Sequence, residues 1–349
     1  MTLIATARRP RARPRPSLEE RTVEHASSSR MVVKVARRAA LLTLPVFVVL
    51  VLPGLSSVRD QFDHGRVGWV VAGIVLEILS CGCYVLLFRG VMGGSLSAAE
   101  NVQVGLGEQG IAALLPAGGL GGLALGAVVL RRRGVDRKFV WRRTVAFFLL
   151  SSLANVVALL AVGLLLAAGV GGSPGAALTL LPAGAAIVSL VIVLALGRLR
   201  PAPNGRAGRA VGTFCGGIRE AQTLMRSPSV IASTLGSWAF DNLVLWTAFL
   251  AYGRHVSLTI VAAAYLLGML GNLVPLPGGF GGAEGGILGM LVLYGVGAST
   301  ATAATLTYGL IALVVPGLLG MAALPFVERM LVRPSAPAVP LAPAYTLRS

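Results

Sequence analysis

Histidine, cysteine and lysine are nearly missing from this sequence, and each scarcity removes a class of chemistry. The three histidines, His25, His64 and His255, fall in expected tails or loops, so none offers itself as a buried ligand or general base. The three cysteines form neither a disulfide framework nor a zinc spacing. Cys81 and Cys83 are two apart in an apolar helix and point to different faces, and Cys215 is expected in a basic loop. Without a nucleophile–base pair or a metal constellation, an enzyme is not expected, and neither is a cofactor. Charge is scarce too, at 12% of residues, with only 13 acids. The formal net charge of +17 would suit nucleic acid, but it sits in tails and loops between apolar segments. There, Arg and Lys set membrane orientation, so no nucleic-acid partner is expected.

Apolar residues are what the sequence has, at 55%. Runs of about 18 or more recur, which is the signature of a polytopic all-α integral membrane protein. Residues 1–38 interleave Arg8, Arg9, Arg11, Arg13 and Arg15 with prolines and cannot bury enough apolar surface to fold. This disordered, cytoplasmic tail is read as a solvated orientation signal or a segment touching anionic lipid headgroups, and not as a cleaved signal peptide. A membrane domain is expected over 39–330, and residues 331–349 form a second disordered tail.

Six spans are expected: Ala39–Val58, Val67–Phe88, Thr144–Val170, Ala176–Gly197, Val230–Tyr252 and Thr300–Val327. A basic loop is expected over 198–227. Two further apolar stretches, 98–130 and 257–294, are interrupted by proline and glycine. The first break holds Pro116, Gly118, Gly119, Gly121 and Gly122, and the second holds Pro275, Pro277, Gly278, Gly279, Gly281 and Gly282. Proline removes an amide donor, and glycine permits close backbone approach. Irregular backbone at membrane depth is tolerated only inside protein or along a cavity. Each stretch is therefore a broken-helix hairpin or a pair of short spans. The basic clusters are all cytoplasmic, together with both termini, only if each stretch enters and leaves on one side.

The two glycine clusters align at an offset of 160 residues, each preceded by two spans and followed by one. The halves, 39–170 and 176–327, then have opposite orientations. Such an inverted repeat with discontinuous helices is a recurrent transporter plan.

Intramembrane acids are costly and face a bundle interior or a pathway. Glu77, Glu108, Asp241 and Glu284 qualify, with Asn272 as a polar companion near the second break and Glu100, Asn101, Gln103 and Gln109 near the first. Their candidate roles are substrate binding or proton relay, and the plainer reading is interhelical hydrogen bonding. Gly118, Gly122 and Gly126, and Gly278, Gly282 and Gly286, recur at four-residue spacing and also permit close helix packing.

Pro116…Gly-Gly-Leu-Gly-Gly122…Arg131-Arg-Arg-Gly134, then Pro275-Leu-Pro-Gly-Gly-Phe-Gly281…Glu284, then Tyr308…Pro316-Gly-Leu-Leu-Gly320, resemble the flippase-like transmembrane family. That family includes the membrane domain of lysylphosphatidylglycerol synthases, and the resemblance covers roughly residues 40–330. It implies a multi-pass protein of the bacterial plasma membrane, one whose best-understood relatives move a modified phospholipid between leaflets. The family commonly carries an acid and then an Arg after the first motif, where this chain has Leu123 and Gly126. It commonly carries an Arg before the last span's proline, where this chain has Gly309. Two groups suited to gripping phosphate are thereby missing. The function expected is translocation of a lipid or polyprenyl-lipid through a midplane cavity between the glycine breaks, with membrane lipids as partners. The alternatives are a non-transporting membrane partner of an envelope pathway and a membrane-embedded lipid-modifying enzyme.

Overall fold

The computed structural model describes residues 66–92, 94–114, 119–172, 175–199, 205–270 and 282–332. Both terminal tails, the expected span Ala39–Val58, and most of each break (Pro116, Gly118, Asn272, Pro275, Pro277, Gly278, Gly279 and Gly281) lie outside them. Gly119, Gly121, Gly122 and Gly282 are described as helix backbone.

Among the described residues there are ten helices and no strand. They are α1 (Val67–Met92), α2 (Ala98–Leu114), α3 (Gly119–Arg132), α4 (Arg137–Ala167) and α5 (Ala176–Arg198). The rest are α6 (Gly205–Leu224), α7 (Pro228–Ala251), α8 (Leu258–Gly268), α9 (Gly282–Leu293) and α10 (Ala298–Val332). Helices α1, α4, α5 and α10 are long and apolar enough to cross a membrane, which makes this an integral membrane protein. Helix α7 fills the expected fifth span with 24 residues but is diluted by Ser237, Asp241 and Asn242 and is not among those four. It is a central helix, packed against α1, α4, α8 and α10.

The interrupted stretches do form pairs of short helices. With 11 and 12 residues, α8 and α9 each rise less than about 20 Å, short of a hydrocarbon core of about 30 Å. Each pair packs on itself, α2 on α3 and α8 on α9. The starts of α1, α2, α3 and α4 are followed 160–163 residues later by those of α7, α8, α9 and α10. The contacts follow the same correspondence: α1 lies along α7, α2 on α10, and α8 on α4.

The basic segment 198–227 is not a loop. Residues 205–224 form the amphipathic helix α6, which lies on α4 and α5. Its sequence reads as a loop because glycine and arginine dilute the apolar period. Glycine is needed for its packing: a Cβ on Gly217 would sit 2.6 Å from Val145 Cβ. Cys215 is accordingly buried against the bundle. Arg219 closes the C-terminus of α5, donating to Leu199 O at 3.0 Å, where a cation also suits the helix dipole.

The arginine-bearing end of α2 and α3 is tied by a capping box. Ser97 N–H donates to Glu100 Oε2 at 2.9 Å, Glu100 N–H donates to Ser97 Oγ at 3.3 Å, and Arg133 pairs with Glu100. Glu100 and Asn101, whose amide caps Leu96 O and Ser97 O, thus belong to this end of α2 and not to the glycine break.

Burial alone would raise the Glu100 carboxyl, but hydrogen bonds from Ser97 and Arg133 with the Arg133 charge outweigh it and hold the group below its usual range. Its stabilising contribution is therefore present above the ordinary value, about 4.3, and disappears as pH falls through the lower folded value. Thermal unfolding in detergent is expected to show a loss of melting temperature on acidification below about pH 4 that is smaller in Glu100→Gln.

Helices α2 and α10 touch backbone to backbone, since a Cβ on Gly320 would lie 2.3 Å from Gly110 Cα. Gly320→Ala is expected to destabilise by about 1–3 kcal/mol through overpacking. Gly184→Ala, where nothing lies within 4 Å of the added methyl, should not destabilise in the same unfolding assay.

Candidate functional site

Helices α1 and α7 run against each other over most of their length, and their contact faces carry small and polar groups. Gly73 meets Thr247, Gly236 meets Cys83, and Ser80 Oγ donates to Ser237 O at 3.0 Å. Small residues of this kind let backbones approach without a lipid-phobic driving force. At the middle of this crossing sit Glu77 of α1 and Asp241 of α7, close enough that the charge of Asp241 acts on Glu77.

Asp241 is half-buried and accepts from two phenols. Tyr308 of α10 donates to Oδ1 at 3.2 Å, and Tyr265 of α8 donates to Oδ2. The two rings stack edge to face, with centroids 6.1 Å apart, which fixes both hydroxyls toward the acid. Glu77 is 6% exposed, with Cys81 Sγ 4.0 Å from its Oε1. Its Oε2 has no hydrogen-bond partner among the described residues. Glu284, in the first turn of α9, is half-buried and within electrostatic reach of Tyr308. Glu77 and Asp241 thus meet where α1, α7, α8 and α10 pack, and Glu284 of α9 reaches the same site through Tyr308.

Glu108 is elsewhere. It is fully buried in α2, where Tyr84 donates to Oε2 at 3.1 Å and the Gly126 N–H of α3 donates to Oε1 at 3.0 Å. Tyr84 is itself held edge to face by Phe147. This acid is a clasp between three helices, with both oxygens answered, and it is sequestered from solvent. Gly126 is required for it, because a Cβ there would stand 2.3 Å from Glu108 Oε1. The matching glycine of the second pair, Gly286, lies against Gly268, where a Cβ would stand 2.2 Å from Gly268 O. Both glycines have a packing duty that the four-residue spacing anticipated.

The acids were visible in the sequence as charges in apolar helices. Tyr265, Tyr84 and Trp238 were not singled out, because an aromatic residue in an apolar run gives no pattern until the facing helix is known. Tyr308 was noted only as part of a motif. Two more ionic contacts, Glu100 with Arg133 and Arg143 with Glu220 at 3.1 Å, lie near helix ends and on α6. No cluster of three or more His, Cys, Asp or Glu suited to a metal ion occurs among the described residues.

The sequence profile of the family described as "Lysylphosphatidylglycerol synthase TM region" matches residues 35–320. Two proteins of Methanothermobacter thermautotrophicus described as UPF0104 membrane proteins are 31% identical over 90 residues and 34% identical over 91 residues. A third UPF0104 membrane protein, from Methanocaldococcus jannaschii, is 32% identical over 93 residues. Each match covers 26% of this chain and 26–28% of the relative, so the chain matches about a quarter of the length of these relatives.

Gly126→Ala is expected to destabilise the protein by about 1–3 kcal/mol, the cost of leaving a buried carboxyl oxygen unanswered. Adding Glu108→Ala should recover part of that loss, since the two positions share one contact. Chemical or thermal unfolding of the single and double variants reads both.

Proposed function

Since the chain belongs to the lysylphosphatidylglycerol synthase transmembrane-region family, we propose that it is a lipid or polyprenyl-lipid translocator of the cell membrane and not an enzyme. In this reading its two sets of four helices are halves of an inverted repeat, and substrate passes a midplane cavity between the glycine breaks. The observation that carries the proposal is the convergence of Glu77, Asp241 and Glu284 with Tyr265 and Tyr308 at the meeting of five helices. Ionisable groups are kept inside a membrane bundle at a cost, and they mark pathways. The recurrence of helix starts at 160–163 residues supports the repeat, and the short helices beside each break support discontinuous spans. The basic clusters support cytoplasmic termini, and the arginine-rich tail suits anionic headgroups.

A second reading, a non-transporting membrane partner of an envelope pathway, is favoured by one observation. Every described Arg and Lys lies at or near a helix end or on α6. Gly126, where relatives commonly carry Arg, has its N–H occupied by Glu108. The described interior therefore has no basic side chain with which to hold a phosphate.

Leaflet exchange in proteoliposomes separates the two. Labelled lipids with acidic, zwitterionic, aminoacylated and polyprenyl-phosphate headgroups are compared, with Glu284→Gln and Asp241→Asn beside the parent. Protein-dependent exchange of one class, reduced about tenfold or more in either variant, is the expected result. Full activity in Glu284→Gln would remove that residue from the site. No exchange of any lipid by folded protein would favour the partner reading.

A further inference from the structure

Five of the ten buried polar side-chain atoms without a hydrogen-bond partner among the described residues lie on or beside one face of α7. Thr234, Trp238, Asp241 and Asn242 follow one another at i, i+4, i+7 and i+8, which places them on one face of α7. Thr234 Oγ1, Trp238 Nε1 and Asn242 Nδ2 are buried atoms without a hydrogen-bond partner among the described residues. Glu77 Oε2, across the α1–α7 contact, is another, and so is Thr305 Oγ1, one turn before Tyr308 on α10. Glu77, Thr234, Asn242 and Thr305 are each 6% exposed or less. Buried polar groups are ordinarily satisfied, and a continuous row of unsatisfied donors and acceptors is where internal water binds.

The groups around the acid pair are Cys81 on α1, Tyr265 on α8, Tyr308 on α10 and Glu284 on α9. None supplies a positive charge, and both described ion pairs lie elsewhere. Two neighbouring carboxyls in an apolar bundle, with no counter-cation beside them among the described residues, do not both remain ionised and behave as one coupled site. The phenols donate to Asp241, which marks it as the acceptor of the pair and leaves Glu77 to carry the proton.

We propose that Glu77 and Asp241 form one proton-binding site, reached by water along the polar face of α7 from the end next to α6, and that a proton is the coupling ion of this protein. The coupling rests on the translocator reading, whereas the proton site does not.

The test uses the full chain in detergent and in liposomes. Infrared titration should show a protonated-carboxyl C=O band that fades as pH rises, exchanges in deuterated water, and is lost in Glu77→Gln. A Glu77 band unchanged over the whole pH range of the folded protein would make the pair fixed helix glue and overturn the site. If Glu77→Gln does not fold, Thr234→Val serves instead: it should keep the band and slow its deuteration several-fold, and unchanged deuteration would overturn the route along α7. X-ray hydroxyl-radical footprinting should label Trp238 more than the buried Phe249, and equal protection would exclude water from that face. Replacing sodium by choline should leave the titration where it is, and a shift would make this a sodium site. An imposed pH difference should change leaflet exchange in the parent. Exchange indifferent to that gradient would overturn the coupling alone. Absence of all exchange would overturn the translocator reading with its coupling, while the titration would still decide the proton site.

Discussion

The crossing of α1 and α7 is the contact on which the described structure depends. Of the two acids at the centre of this crossing, Asp241 is answered from neighbouring helices. Tyr265 and Tyr308 do this for Asp241, which ties α8 and α10 to the crossing. Through α8 and α10 the remaining short helices, α2, α3 and α9, are held as well. The polar centre thus specifies which helices meet, while the surrounding cluster of Leu245, Ala248, Phe249, Val261 and Ile287 supplies burial without direction. A hydrogen-bonded pair of phenols fixes relative rotation in a way that apolar contact between smooth helices does not.

Corresponding crossings in the two sets of helices are solved differently. Where α8 meets α9, Gly268 and Gly286 let backbone touch backbone. At the same offset, α2 meets α3 through Glu108 and Gly126, with a carboxyl inserted between the helices. The inserted acid needs Tyr84 to answer its second oxygen, and Tyr84 needs the edge of Phe147. A single Gly-to-acid difference at one crossing thus recruits partners from two further helices. The first crossing becomes a polar clasp, and the second remains a close slide of backbone on backbone.

Much of the fold was legible because membrane helices must satisfy their own backbone. Length, apolar content and the positions of Pro and Gly placed α1, α5 and α10 within a few residues, and they marked both short pairs. α4 begins seven residues earlier than its apolar run because Asp136 caps it: its carboxylate accepts from Lys138 N at 2.8 Å and Phe139 N at 3.1 Å. α6 was not legible, since its ordering comes from glycines that fit α4, a tertiary reason with no local pattern. The acids were legible one by one as charges in the wrong solvent. Their division into a three-acid cluster and a solitary clasp was not, because rotation of each helix about its axis is set by packing. The offset of 160 suggested that Glu77 and Asp241 sit on equivalent helices. That they also meet follows only from those helices lying together.

The electrostatic plan inside the bundle has a consistent sign. The described arginines are confined to helix ends and α6, and the described centre carries carboxyls and hydroxyls. Two helices begin just after a break, and an α-helix N-terminus carries about half a positive charge. α9 has Glu284 in its first turn, where an acid suits that end. α3 has no acid in its first turn and begins on glycines without side chains to cover its amides. The helices that follow the two breaks therefore differ: α9 carries an acid in its first turn and α3 does not. Since every described Arg and Lys lies at or near a helix end or on α6, the acid pair has no basic neighbour among the described residues.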